Sequence, residues 1–123
     1  MKALSIQQPW AWLIVSGFKD IENREWFTKV RGEILIHAGK KFDKAGYQYV
    51  KSQFPHIPLP EPEKFQRGGL VGKCTISDCV AAHRSPWFFG SYGFVLENQA
   101  PIDFKPYKGQ LGFFDVKEEV NHA

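Results

Sequence analysis

The chain has 123 residues, enough for one domain and too few for a second core. Hydrophobic residues make up 43% and charged residues 24%, which excludes a disordered chain. The formal charge of +3 is laid down unevenly: nine Lys and Arg stand against five Asp and Glu in residues 1–51, and seven against eight in residues 52–123.

Residues 2–6 read as a first strand, and Met1-Lys2 leads into it directly, so no signal peptide is expected. Gln7-Gln8-Pro9 opens a helix, with Pro9 at the first helical position, where its missing N–H costs nothing. That helix runs to about Ser16, with Gly17 as its stop. Its apolar residues nearly surround it, as in a helix plugging the end of a barrel, and Trp10, Leu13 and Ile14 share a face. The run from Trp10 to Val15 is too short to cross a bilayer.

Polarity rises over residues 19–26, where Ile21 alternates with charged neighbours in a short strand. Residues 32–38 form a clear strand. Residues 43–54 read as a helix capped by Asp43, despite Gly46, with Ala45, Tyr49 and Val50 on its inner face. Residues 55–69, rich in Pro and Gly, read as an exposed loop. The strongest strand spans residues 70–82, with Leu70, Cys74, Ile76 and Val80 on one face and Lys73, Thr75 and Ser77 on the other. Residues 92–97, 102–104 and 113–116 complete about six strands. The expected fold class is α+β and β-rich: a small barrel with two flanking helices, forming a single domain over residues 1–123.

Cys74 and Cys79 are five apart, on opposite faces of a regular strand, so no disulfide is expected and the cytoplasm is the expected compartment. Cys79 and His83 supply two ligands where a structural zinc site wants four, so no metal is expected. No P-loop, dinucleotide fingerprint or nucleophile elbow occurs, and no cofactor is expected.

The densest chemistry lies at Gln8, Trp10 and the stretch Gly17 to Arg24. A helix N-terminus at Gln8–Trp10 would attract an anion. Lys19 and Arg24 add cationic donors, and Trp10 or Trp26 would stack a base. Glu22 would accept from a base amino group or act as a general acid–base; the plain alternative is a surface ion pair with Lys19 or Arg24. Lys19 itself, in a polar turn, is expected to carry little packing energy. His37 ends an apolar strand, as a hydrogen-bonded wall residue or a ligand contact, and Ser5 and Lys73 are further candidates. The aromatic run Pro86-Trp87-Phe88-Phe89-Gly90 reads as core or lid in preference to a stacking surface. The cationic first half suits a phosphate-bearing partner, although a solvated lysine surface also accounts for it.

The segment LSIQQPWAWLIVSGFKDIENREW resembles the opening of an ASCH domain. The signature there is a glycine, one residue, a lysine, two residues, a glutamate and an arginine two further on, matched by Gly17, Lys19, Glu22 and Arg24. RGEILIHAGKK and GGLVGKCTISDC are similar to later strands of that family, particularly its transcription-coactivator branch. The resemblance covers residues 2–98. It implies a PUA-like barrel, a cleft between the first helix and the sheet, and recognition of RNA, single-stranded DNA or a nucleoside-like ligand, with no membrane partner. It also implies a rival. One bacterial branch hydrolyses acetylated cytidine with a lysine, a threonine and a glutamate; Lys19 matches the lysine, but Glu22 stands where the threonine falls. Another branch is linked to ribonuclease activity, for which Lys19 with Glu22 or His37 would be the acid–base pair. A protein-interaction module would use the aromatic loop instead.

Overall fold

The computed structural model describes residues 1–117. In chain order the elements are β1 (Lys2–Gln8), α1 (Trp10–Val15), β2 (Ile21–Arg24), β3 (Gly32–Phe42), α2 (Lys44–Gln53), β4 (Gly69–Val80), β5 (Tyr92–Pro106) and β6 (Phe113–Asp115), with a short 3₁₀ turn at Pro62–Lys64. The six strands form one mixed sheet in the order β2-β5-β4-β3-β1-β6. β1 runs parallel to β3, and every other pair is antiparallel.

The sheet curls until its ends face each other, and side chains close the gap. Arg24 on β2 donates through Nη2 to the Ser5 carbonyl on β1 at 2.9 Å. Trp26, just past β2, sets its ring edge-on against Phe94 of β5 and Phe113 of β6. The result is a barrel-like sheet, not closed by hydrogen bonds between β2 and β6, whose ends are bridged by Arg24 and Trp26.

Bulges decide which residues face the core, because one extra residue flips everything beyond it to the other face. Against β3 the register slips between His37↔Leu70 and Ile36↔Gly72. Val71 therefore points into the barrel core, and Leu70 faces a second cluster with Ala3, Leu35, Ile102 and Phe114. Strict alternation, which put Leu70 and Cys74 on one face, fails there. A further slip between Ile76 and Asp78 returns Cys79 to the core beside Cys74; both thiols are free.

The strands expected at residues 92–97 and 102–104 are one strand. Asn98, with φ +55°, sits in a bulge opposite Lys73 to Thr75, and Pro101 lies across from Gly72 beside another register shift. Residues that read as a break in sequence are absorbed by these irregularities.

Helix α1 packs on β1, β3, β4 and β5. Ala11, Ile14 and Val15 enter the barrel core, and Leu13 points to a third cluster with Ile21, Val50, Ile57 and Trp87. Its start differs from expectation: Pro9 is the cap residue, after a cis Gln8–Pro9 peptide, and not the first helical residue. Asp43 caps α2 as expected, accepting from the Gly46 N–H at 2.8 Å. The inner face of α2 is Gly46, Tyr47 and Val50; Ala45 and Tyr49 are exposed. The loop at residues 55–69 is not wholly exposed either, since Ile57 and Phe65 are buried in it. No helix among the described residues is long and apolar enough to cross a membrane.

Candidate nucleic-acid interface

Lys19 is buried, not in an exposed turn. Its Nζ donates to the Ile21 carbonyl and to Glu22 Oε1 at 3.3 Å, and lies 5.6 Å from the centre of the Trp10 ring. Glu22 is buried as well, and its other oxygen, Oε2, accepts from Arg24 Nε at 3.1 Å and pairs with the guanidinium Nη2 at 3.0 Å. One carboxylate thus holds both motif cations. Lys19, expected from the sequence to matter little to stability, is tied into a buried ion pair here, and breaking such a pair by removing one partner costs about 3–5 kcal/mol. Burial pushes the Lys19 pKa below its ordinary 10.5, against the opposing pull of Glu22. Burial also raises the nearby Cys74 thiol, which the Glu22 charge raises further, to about 12, so this cysteine is no nucleophile.

Three connected cavities run across this cluster. The smallest, about 180 Å³, is lined by Trp10, Lys19, Glu22, Asn23, Trp87 and Phe89. The next, about 530 Å³, shares Trp10, Glu22 and Asn23 with it and continues past Arg24 to Ser5, Gly39 and Lys40. The largest, about 850 Å³, shares Ser5, Gly39, Lys40 and Leu111 with the second and ends at His37, Tyr107 and Lys108. Together, through these shared residues, they make one groove.

Trp10 walls the groove where two cavities meet, and its Nε1 donates to Asp43 Oδ2 at 3.0 Å. This explains Gly46 in the first turn of α2: a Cβ there would lie 2.4 Å from Trp10 Cζ2. Asn23 fixes the aromatic loop at the narrow end, donating to the Trp87 carbonyl and accepting from the Phe89 N–H, each at 2.8 Å. Trp87 is buried and stacked on Phe54 with centroids 4.2 Å apart, a pairing worth about 0.5–1.5 kcal/mol beyond area. Phe89 is half exposed and faces the cavity. The aromatic run is both things: Trp87 is core, and Phe89 is groove wall.

Ser5 and His37 are direct neighbours in the β1–β3 register. The His37 Nε2–H donates to the Tyr107 carbonyl at 2.7 Å, so Nδ1 is the acceptor for the Ser5 hydroxyl at 3.1 Å. Burial lowers the His37 pKa below its ordinary 6.5, and the bond to Tyr107 offsets part of that.

The other candidates lie apart. The Gln8 side chain is buried, donating to the Gln66 carbonyl and accepting from the Trp12 N–H, each at 2.8 Å. That bond occupies an N–H the helix start was expected to offer an anion, and α1 has only six residues. Trp26 bridges the ends of the sheet with its ring 5.7 Å from the Arg24 guanidinium and is 40% exposed. Lys73 is half buried on β4, opposite Leu35 and Ala100, and lines none of the three cavities. Sequence reasoning passed over Asn23, Gly39, Tyr107 and Lys108. Asn23 stood inside the motif; the others reach the groove only through the fold.

A family model of the ASCH domain matches residues 4–116. The chain is 34% identical to Activating signal cointegrator 1 of Mus musculus and 33% identical to that of Homo sapiens, each over 98% of this chain. It spans about a quarter of the length of those relatives, 23% of each. The crystal structure of ASCH from Zymomonas mobilis shares the fold, with a TM-score of 0.55 at 15% identity over 95% of this chain and 87% of that one. A single-residue variant of it gives 0.58 at 15% identity, over 95% and 88%.

Proposed function

This chain belongs to the ASCH domain family, and from that premise and its groove we propose that it binds single-stranded nucleic acid, RNA or DNA, seating one nucleotide where Trp10, Glu22 and Arg24 meet. The observation that carries the reading is the fixed polar wall beside an aromatic one. Glu22 is held by two cations and Trp10 by Asp43, so neither must be ordered when a ligand arrives, which lowers the cost of binding. A ring in the groove gains stacking worth about 1–3 kcal/mol per base. The test is titration of a labelled single-stranded RNA at low and physiological salt. Micromolar-range affinity that falls with salt is expected; no binding at low salt, or affinity indifferent to salt, would sink the reading.

One observation favours hydrolysis as a second reading. Burial that lowers the Lys19 pKa moves a lysine toward the neutral form a general base needs, and Glu22 touches it. Incubating wild type and Glu22→Gln with short RNA and with acetylated cytidine decides this. Product from wild type that falls roughly 10²–10⁴-fold in a variant that still folds would establish turnover by acid–base work at the Lys19–Glu22 pair.

A further inference from the structure

The charges along the groove are not evenly matched. At the Trp10 end, Lys19 and Arg24 both spend their charge on Glu22. In the middle cavity Lys41 is accompanied by Asp43. No carboxylate lines the largest cavity; its charged lining residues are Lys40 and Lys108, both exposed. Among the described residues neither forms an ion pair. Unopposed positive charge is therefore concentrated where the family motif has no residue.

The compartment is also pre-shaped. Residues 106–111 form one of its walls, and His37 holds that wall through the Tyr107 carbonyl. Gly109 lies so close that a Cβ on it would fall 2.4 Å from His37 Cε1. Lys40 stands on the boundary with the neighbouring cavity, as do Ser5 and Leu111. The cavity that Trp10 walls therefore adjoins the one that Lys108 lines.

We propose that the Lys40–Lys108 compartment binds a phosphate of the nucleotide adjoining the one at Trp10, so that the ligand is an oligonucleotide of at least two residues and not a free base or nucleoside. This rests on the nucleic-acid reading and adds its substrate class. Phosphate is the chemistry of choice because two lysine ammoniums without a competing carboxylate attract an anion, and a neutral sugar or base gains little from them. The chain supplies the contact from β3 and from the loop before β6.

The experiment uses a labelled mixed-sequence RNA hexamer and the four nucleosides as probes. The proteins are wild type, Lys40→Gln/Lys108→Gln, and a control, Lys29→Gln/Lys44→Gln, whose exposed lysines line none of the cavities. Expected is hexamer binding to wild type severalfold tighter than any nucleoside. The Lys40/Lys108 variant should lose that advantage, with its log affinity–log salt slope reduced by about 0.7 for the one phosphate released, and the control should behave as wild type. Equal weakening in both double variants, or an unchanged slope in the Lys40/Lys108 variant while the hexamer still binds, overturns the proposal and leaves the parent reading standing. No hexamer binding to wild type at low salt overturns both.

Discussion

The two ends of the groove each carry two cations and work in opposite ways. Around Glu22 one cation, Lys19, is buried and the other, Arg24, is half-buried, and both are bound to the same carboxylate, so they contribute geometry and little net field. Around His37 the cations stand in water, and the buried element is a neutral imidazole that holds a wall in place. A count of Lys and Arg along the sequence cannot separate these cases. Burial can: a buried charge must be paired or pay heavily for its desolvation, and an exposed one is left to meet a ligand.

The sharpest way to break this contrast is to remove the shared carboxylate. Glu22→Ala leaves Lys19 buried without its counter-charge, and a loss of about 3–5 kcal/mol is expected in urea unfolding. Lys40→Ala should stay within about 0.5 kcal/mol of wild type. Equal effects from the two substitutions would mean that the ends do not differ in kind. A smaller change tests the pre-shaped wall. Gly109→Ala forces a Cβ against His37, and overpacking of this sort costs about 1–3 kcal/mol. Hexamer affinity should fall with it while nucleoside binding, if measurable, stays the same; a variant as stable as wild type would show that the loop simply shifts.

The smallest expected effect is a pH dependence. Because burial lowers the His37 pKa below its ordinary 6.5, the unfolded chain binds the proton more readily than the folded one between the two values. Stability should therefore rise with pH through that window and be fully present above 6.5. Comparing wild type with His37→Gln from pH about 5 to about 7.5 isolates this contribution. A difference between the two that does not change with pH would remove His37 as the titrating group.

Much of the fold was legible because its signals are local. The first strand, the Gly17 stop, the Asp43 cap and the apolar run of β3 each announce themselves within a few residues. β5 did not, since Asn98 and Pro101 look like a chain break until the bulges opposite β4 accommodate them. The faces of β4 were misjudged for a related reason: Val71 is one extra residue, and nothing in its own neighbourhood marks it. The candidate site divides along the same line. Residues 17–24 form a contiguous motif, so Lys19, Glu22 and Arg24 were found together, although whether they were exposed was not readable. The far compartment joins Ser5, Gly39 and Lys108 across the whole chain, and no spacing reveals it.

Asp43 has a consequence for how ligand occupancy would be felt elsewhere. Its Oδ1 holds the first turn of α2 and its Oδ2 holds the Trp10 indole, so a single side chain belongs to both the helix and the groove wall. Coupling of this kind is reciprocal. A ligand that prefers the indole as Asp43 holds it must tighten the start of α2 by the same free energy, and fraying of that turn must weaken the ligand. The N-terminal turn of α2, whose residues 44–47 line none of the three cavities, would then report on binding through slowed amide exchange at Gly46 and Tyr47.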